Sequence, residues 1–296
     1  MALLDSTTDL RFTVRPLSGT IGAEIEGIDL RDELDEGTVQ ALREVWLARR
    51  VIFFRQQHLD PESHKRFAAR FGELTPGHPV IPGLADHPEI FQIDYRASRQ
   101  VYAQYGDVAV RRAGLDWHTD VTFVQRPPAG SVLSAVRIPE SGGDTMWSDQ
   151  VASFAALSAP MREFLATLTA VHDGRAAFGK QLAERGEGSW DGAPYRALEP
   201  VEHPVVRIHP ETGEQALFVN RGFTSHIVGM RPDESEALLS FLYRHSTSPE
   251  FVVRYHWTQG DIAFWDNRAT QHSVVGDYGE APRVIQRVTL RGDRPF

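Results

Sequence analysis

The tripeptide His118-Thr119-Asp120 brings together two side chains of the kinds that bind divalent metal ions. On a β-strand, side chains two positions apart project to the same face, so this imidazole and this carboxylate can bind one ion. His272, which follows an apolar segment predicted to be a strand, is the best candidate for a third ligand. Two imidazoles and one carboxylate leave coordination positions open, and non-heme Fe(II) oxygenases use this arrangement.

Two arginines near the C-terminus support the interpretation of these residues as an oxygenase site. Such support is needed because a His-x-Asp tripeptide alone also occurs by chance on surface strands. Arg283 and Arg287 lie four positions apart in an otherwise apolar segment, and therefore on one face of a strand or a helix. A guanidinium matches two oxygens of a carboxylate or a sulfonate at once, and burying it without a partner is costly. The segment therefore predicts two anion-binding side chains.

The amino-acid composition narrows the chemistry further. The 296 residues include no cysteine and 12 histidines, which excludes disulfides, thiolate metal ligands and a cysteine nucleophile. Lys65 and Lys180 are the only lysines, and no motif supports lysine chemistry at either one. The net charge of −9 without a basic run argues against a nucleic-acid partner, and no segment suggests a membrane span or a signal peptide. We expect a cytoplasmic protein that acts on small molecules.

Short strands dominate the predicted secondary structure. Periodicity and capping residues predict helices over 35–50, 60–71, 150–169 and from about 232 onward. Runs rich in Val, Ile, Phe and Tyr predict strands over 51–54, 130–136, 205–209, 216–219, 251–257, 261–265 and 284–290. This mainly β pattern favours a jelly roll with flanking helices, in a single domain over residues 1–296. The segments 94–116 and 174–200 are predicted to be loops, which at this length are often functional lids.

Short motifs spread over nearly the whole chain carry a family resemblance. They are IGAEI at 21–25, VIFFR at 51–55, RFGEL at 70–74, WHTDVTF at 117–123, PPAG at 127–130, GGDT at 142–145, HPVVR at 203–207, ALFVN at 216–220, WDNR at 265–268 and GDRPF at 292–296. With these motifs the chain resembles the taurine dioxygenase (TauD/TfdA) family of Fe(II)/2-oxoglutarate-dependent dioxygenases. The resemblance implies a double-stranded β-helix, in agreement with the predicted jelly roll.

The resemblance also implies a role for each matching residue. His118, Asp120 and His272 would be the ligands of Fe(II). The cosubstrate 2-oxoglutarate would chelate the iron, and its far carboxylate would meet Arg283 and Thr145.

A second set of positions matches the family's substrate-binding residues. The substrate's anionic head would be held by His78, by Arg287 and by the backbone N–H of Val121, while Phe178 and Phe223 would form apolar walls. The reaction implied uses O2 to hydroxylate the carbon next to a sulfonate, as in taurine or a related alkyl sulfonate. The products are then an aldehyde, sulfite, succinate and CO2.

Two positions depart from the family's taurine-binding pattern. Ile81 stands where a tyrosine follows the substrate-binding histidine, and Gly114 stands where an asparagine precedes the metal motif. Losing a hydroxyl and an amide makes the pocket more apolar and less able to bind an ammonium group. Longer alkyl sulfonates, alkyl sulfates or another organic anion therefore become alternative substrates.

Alternatives of another class follow from the same ligand set. A zinc hydrolase also uses two imidazoles and a carboxylate with an open position, but no general-base glutamate lies beside the metal motif. A non-catalytic member of the family that only binds a ligand is a further alternative. By resemblance, we expect a small organic anion as the partner and a homo-oligomer, either a dimer or a tetramer.

Overall fold

The computed structural model describes residues 11–94, 116–186, 188–190, 193–195 and 198–296. Within these ranges the α-helices are α1 (Glu36–Arg49), α2 (Pro61–Ala69), α3 (Gln150–Ala155), α4 (Ala159–Leu165), α5 (Arg175–Arg185) and α6 (Pro232–Ser246), with a 3-10 turn at Pro249–Phe251. The strands are β1 (Thr13–Pro16), β2 (Ala23–Glu26), β3 (Val51–Phe54), β4 (Phe91–Asp94), β5 (Gly130–Arg137), β6 (Thr145–Asp149), β7 (Thr169–His172), β8 (Gly188–Trp190), β9 (Ala193–Tyr195), β10 (Val201–Pro204), β11 (Val206–Ile208), β12 (Gln215–Leu217), β13 (Thr224–Ile227), β14 (Val252–Tyr255), β15 (Ile262–Asp266), β16 (Thr270–Val274) and β17 (Val284–Leu290).

A seven-stranded sheet forms the larger layer, in the order β1-β2-β3-β15-β5-β17-β4. Its pairs are antiparallel except for β2 with β3, which run parallel. Apolar side chains on one face pack against α1 and α2, where Trp46 stacks on Phe264 with ring centroids 4.2 Å apart. Gly130 leaves room for this contact, because a Cβ there would lie 2.8 Å from the Trp46 ring.

A three-stranded antiparallel sheet in the order β14-β6-β16 faces the opposite side of the larger sheet. Buried aromatic rings fill the space between the two layers, with Phe53 stacked on Tyr255 and packed edge-on against Trp147. Two facing sheets with helices outside them are the predicted jelly roll with flanking helices. A third cluster lies under α6 and includes Leu239 and Leu242.

The capped helices agree with the sequence prediction. Asp35 accepts a hydrogen bond from the N–H of Thr38 at the start of α1, and Asp60 accepts one from Ser63 at the start of α2. The predicted strands at 51–54 and 284–290 are confirmed with the same bounds, and those at 130–136, 205–209, 216–219, 251–257 and 261–265 with small shifts at their ends.

Parts of the predicted secondary structure were wrong or incomplete. The single helix over 150–169 is two short helices, because Ser158 and Pro160 start a new helix after a turn. The predicted loop at 174–200 contains α5 and the hairpin of β8 and β9. Strands β6 and β16 were missed because their mixed polar sequences give no apolar run. The predicted loop at 94–116 lies almost entirely outside the described residues.

Among the helices that the structure describes, none combines the length and the hydropathy needed to cross a membrane.

Candidate metal centre and anion cavity

Three side chains that could bind one metal ion lie together between the two sheets. Nε2 of His118 and Nε2 of His272 lie 3.8 and 3.9 Å from Oδ1 of Asp120, and ligand atoms of all three residues lie within 4.8 Å of one another. All three residues are buried. The predicted ligands are therefore together in space.

The backbone explains how the two histidines meet. His118 and His272 form an isolated antiparallel bridge, in which each N–H donates to the other's carbonyl at 3.0 and 2.8 Å. The prediction that 118–120 forms a strand was wrong, since Asp120 already lies in a turn. His272 follows β15, as predicted, and itself lies within β16, where it pairs with Trp147 of β6.

Hydrogen bonds hold the carboxylate of Asp120 and the ring of His118 in one orientation. Nδ1 of His118 donates to the carbonyl of Asp116 at 2.8 Å, which leaves Nε2 without a proton and free to coordinate. Oδ2 of Asp120 accepts from Ser131 at 3.1 Å. The side-chain amide of Asn267 accepts from the N–H of Asp120 at 2.9 Å and donates to its carbonyl at 3.1 Å.

The electrostatics favour the protonation states that bind metals. Burial lowers the pKa of His118 and outweighs the nearby carboxylate of Asp120. Burial, followed by the neighbouring ring of His118, lowers the pKa of His272 to about 3. Burial alone would raise the pKa of Asp120, but Arg287 and the two imidazoles hold it below its usual value. The centre therefore has two neutral imidazoles and one carboxylate at neutral pH.

These donors fit a divalent first-row metal ion. Imidazole nitrogen and carboxylate oxygen bind such ions at about 2.1 Å, so donors that share an ion are separated by about 3 to 4 Å. The distances of 3.8 and 3.9 Å fall in that range. Nδ1 of His272 is buried with no hydrogen-bond partner among the described residues, and its ring packs against Trp265 at 4.9 Å. The ligand set is the one typical of sites that keep open positions.

Arg283 and Thr145 form a second group at the start of β6, where Thr145 is the first residue. Arg283 is buried and donates from Nε to the carbonyl of Gly143 at 3.0 Å and from Nη2 to Oγ1 of Thr145 at 3.2 Å. Oγ1 of Thr145 also accepts from Nε1 of Trp257 at 3.0 Å, so the hydroxyl proton of Thr145 can donate elsewhere. In the described part of the chain, no carboxylate lies within salt-bridge distance of Arg283. This pair can therefore bind an anion.

A small cavity lies beside the metal donors and is lined by all three groups predicted to bind the substrate's anion. They are His78, Val121 and Arg287. Nδ1 of His78 accepts from the N–H groups of Val80 and Ile81 at 3.1 and 3.0 Å, so its proton is on Nε2. Burial, and then Arg287, lower the pKa of His78 to about 3. The ring is neutral and can donate one hydrogen bond.

Val121, which follows Asp120, has an unusual backbone conformation. Its φ is +55°, in the left-handed region that a β-branched residue rarely adopts. Outliers of this kind persist where the surrounding structure holds them, and they are concentrated at functional sites. Its N–H belongs to the turn between the metal donors and the cavity.

Apolar side chains pack next to the residues that line the cavity, where the ring centroid of Phe178 lies 5.0 Å from that of His78. Phe178 on α5 and Phe223 lie with ring centroids 6.2 Å apart, and Phe123 lies between them, at 5.3 and 4.9 Å. Ile81 packs against the same buried cluster, which also contains Val121. The residues predicted to line the substrate site are thus in one place, except Gly114, which lies outside the described residues.

The structure adds cavity residues that sequence reasoning missed. Glu89, Phe91 and Trp190 line the cavity together with Gly77 and Thr289. The Nζ atom of Lys65 lies 3.9 Å from Oε2 of Glu89. Trp190 comes from the hairpin within the predicted loop at 174–200, and no local motif marks it.

Comparison with known proteins agrees with this geometry. The family described as "Taurine catabolism dioxygenase TauD, TfdA family" matches residues 13–289. The chain is 38% identical to an alpha-ketoglutarate-dependent sulfate ester dioxygenase of Pseudomonas putida, over 99% of this chain and 94% of the relative. It is 37% identical to an alkylsulfatase of Acinetobacter baylyi, over 95% of this chain and 85% of the relative.

A solved structure, a taurine dioxygenase from Burkholderia xenovorans, superposes with a TM-score of 0.80 at 41% identity. The superposition covers 96% of this chain and 92% of that structure. Fold and site together define a 2-oxoglutarate-dependent dioxygenase with a jelly-roll fold. The chain belongs to the TauD/TfdA family, and the family assignment made from the sequence motifs is confirmed. Nothing in these comparisons favours the zinc-hydrolase alternative.

Proposed function

We propose that this enzyme uses Fe(II), 2-oxoglutarate and O2 to oxidise the carbon that carries a sulfate ester or a sulfonate group. The observation that carries the proposal is the single cavity lined by His78, Val121 and Arg287 beside the His118-Asp120-His272 donors. Hydroxylation of that carbon gives an unstable product that breaks down to an aldehyde. A sulfate ester then releases sulfate, and a sulfonate releases sulfite.

His118, Asp120 and His272 would hold the iron, with the hydrogen bonds described above fixing the first two donors. Iron in such a site supplies the activation of O2 and couples it to the oxidative decarboxylation of 2-oxoglutarate to succinate and CO2. Arg283 and the hydroxyl of Thr145 would bind the far carboxylate of 2-oxoglutarate. A buried guanidinium with no carboxylate in salt-bridge distance among the described residues supports this role.

The substrate's head would be bound by donors from three directions. The guanidinium of Arg287, Nε2–H of His78 and the N–H of Val121 suit the three outer oxygens of a sulfate ester or a sulfonate. These groups belong to three separate segments around one cavity. The carbon next to the head would thereby be held close to the metal donors.

We further propose that alkyl sulfates and alkyl sulfonates are preferred over taurine. Ile81, Phe178 and Phe223 belong to one apolar cluster, which offers contact to an alkyl chain and offers an ammonium group no partner. The carboxylate of Glu89, which also lines the cavity, lies 3.9 Å from the ammonium group of Lys65. The names of two relatives refer to sulfate esters, which supports this order of substrate preference.

The test is a screen of 2-oxoglutarate turnover, measured as succinate formed, with hexyl sulfate, hexanesulfonate, taurine and an aryloxy acid. We expect the two hexyl compounds to give the highest kcat/KM, with release of sulfate or sulfite in a one-to-one ratio to succinate. If taurine were preferred over both, the proposed substrate class would be wrong. If only the aryloxy acid supported turnover, the proposal that the substrate carries a sulfate or sulfonate group would be wrong.

A further inference from the structure

The buried side chain of Asn220 connects the segment that lines the candidate substrate cavity at Val121 with the segment that carries Phe223 of the adjoining apolar cluster. Its Nδ2 donates to Oγ1 of Thr122 at 3.1 Å, and its Oδ1 accepts from the N–H of Phe223 at 2.9 Å. Thr122 follows the strained Val121, and Phe223 is one of the apolar walls. One amide group therefore ties together a proposed anion donor and a proposed wall.

The turn that contains Thr122 is held by buried polar groups on its far side. Nδ1 of His172 lies 2.9 Å from Oγ1 of Thr122, the same hydroxyl that Asn220 contacts. Nε2 of His203 donates to the carbonyls of Thr122 and Val124, at 2.9 and 3.0 Å. Asn220, His172 and His203 are almost fully buried. Such contacts can maintain the positive φ of Val121, which would otherwise relax.

The segment from Asn220 to Phe223 also packs against the metal motif. The N–H of Gly222 donates to the carbonyl of Trp117 at 3.3 Å. A Cβ at position 222 would lie only 2.9 Å from Cβ of His118, so glycine is required for this close approach. Asn220 itself makes no hydrogen bond to His118, Asp120 or His272.

We propose that Asn220 is a positioning residue that sets substrate affinity, because it holds the N–H of Val121 and the ring of Phe223 in one arrangement. This inference rests on the proposed function, in which both groups contact the substrate. Replacing Asn220 should change the affinity for the primary substrate and spare 2-oxoglutarate. The atoms that Asn220 binds belong to neither the metal donors nor the Arg283–Thr145 pair. None of the motifs used to predict the site assigned Asn220 a role.

The test compares Asn220→Ala and Thr122→Val with Thr122→Ser, which retains the hydroxyl. We expect both disruptive variants to raise the KM for hexyl sulfate and to weaken its anaerobic binding to the Fe(II)/2-oxoglutarate enzyme, measured by calorimetry, by about 10-fold or more. The KM for 2-oxoglutarate should change by less than about twofold, and Thr122→Ser should restore substrate binding. If Asn220→Ala does not fold, Thr122→Val carries the test alone.

A matched control separates positioning from stability. Ser235→Ala also removes a buried hydrogen bond, the one from the N–H of Ile227 to Oγ of Ser235 at 2.9 Å, and neither residue lines the cavity. We expect it to lower the Tm without changing substrate binding. A fall in Tm with unchanged KM and Kd in the Asn220 and Thr122 variants would overturn the inference. A wild-type enzyme that neither binds nor oxidises hexyl sulfate or hexanesulfonate would instead overturn the proposed function, and the inference with it.

Discussion

The guanidinium of Arg287 lies 2.5 Å from Oδ1 of Asp120, the same carboxylate oxygen that faces the imidazoles of His118 and His272. The residue proposed to bind the substrate's anion is thus in direct contact with a proposed metal ligand. Both residues are buried, so their charges interact strongly. An anion bound to Arg287 would lie beside the metal donors, as oxidation at the adjacent carbon requires.

Replacing Arg287 should therefore weaken the primary substrate selectively. For Arg287→Gln we expect the KM for hexyl sulfate to rise on the order of 10- to 100-fold, since hydrogen bonds to charged groups contribute roughly 1.5–3 kcal/mol. The KM for 2-oxoglutarate should stay within about twofold of wild type. Steady-state succinate formation measures both constants. Arg287→Lys is the variant that keeps the positive charge but loses the bidentate geometry of the guanidinium.

Replacing Arg283 should have the opposite selectivity. Arg283 and Trp257 both donate to Oγ1 of Thr145, which orients the threonine hydroxyl. In Arg283→Gln we expect the KM for 2-oxoglutarate to rise on the order of 10- to 100-fold, with a small change for hexyl sulfate. The two arginine variants are each other's controls. Reversed effects would mean that the two anion sites have been assigned the wrong way round.

The sequence predicted the site's composition better than its local geometry. Side-chain types and motif spacing identified His118, Asp120 and His272, although the strand expected at 118–120 is a single bridge followed by a turn. Strand β16 is buried through pairing with β6 rather than through apolar residues, so hydrophobic patterns did not reveal it. Side chains that enter the cavity from distant segments, such as Trp190, depend on the tertiary fold and have no local pattern.

Capping residues and prolines were the most informative local features. Asp60 gave the start of α2 because its carboxylate accepts a backbone N–H group. Asp35 has the same role at the start of α1, although that helix was predicted from its apolar periodicity. Pro160 could have revealed the break between α3 and α4, since proline fits the first turn of a helix and disrupts its interior.

Asn267 should affect metal affinity rather than substrate affinity. Its side-chain amide binds both the N–H and the carbonyl of Asp120, and its Nδ2 also donates to the carbonyl of Pro128 at 2.9 Å. Partners that orient a ligand typically change metal affinity 10- to 100-fold when they are replaced. We expect Asn267→Ala to weaken Mn(II) binding on the order of 10-fold, as measured by electron paramagnetic resonance titration. Asn220→Ala is the matched control, and equal Mn(II) affinity in both variants would contradict this role.

The predicted iron site has a direct spectroscopic test. Fe(II) and 2-oxoglutarate, added together without oxygen, should produce a visible charge-transfer band in the wild-type enzyme. We expect His272→Ala to lose this band, because one of the three donors within 4.8 Å of one another is removed. The variant His226→Ala, in which an exposed histidine is replaced, should retain the band. A colourless wild-type mixture would count heavily against an iron dioxygenase.

Buried histidine makes the stability of the fold depend on pH. Nε2 of His64 donates to the carbonyl of Val132 at 2.9 Å, and burial lowers the pKa of His64 to about 4. In the unfolded chain the imidazole titrates near 6.5, so between pH 6.5 and 4 the unfolded state binds more protons than the folded state. The free energy of unfolding must therefore fall as the pH falls through this window.

The contribution of His64 to this slope can be measured by urea unfolding at several pH values. Wild type should lose up to about 1.4 kcal/mol per pH unit from this one residue between pH 6 and 5, in addition to the effect of other buried histidines. His64→Gln keeps a donor for Val132 and should lower the slope by about that amount. The exposed His226→Gln is the control for loss of an imidazole. An unchanged slope in His64→Gln would show that His64 is not held neutral in the folded protein, and that its hydrogen bond to Val132 outweighs the cost of burying its charge.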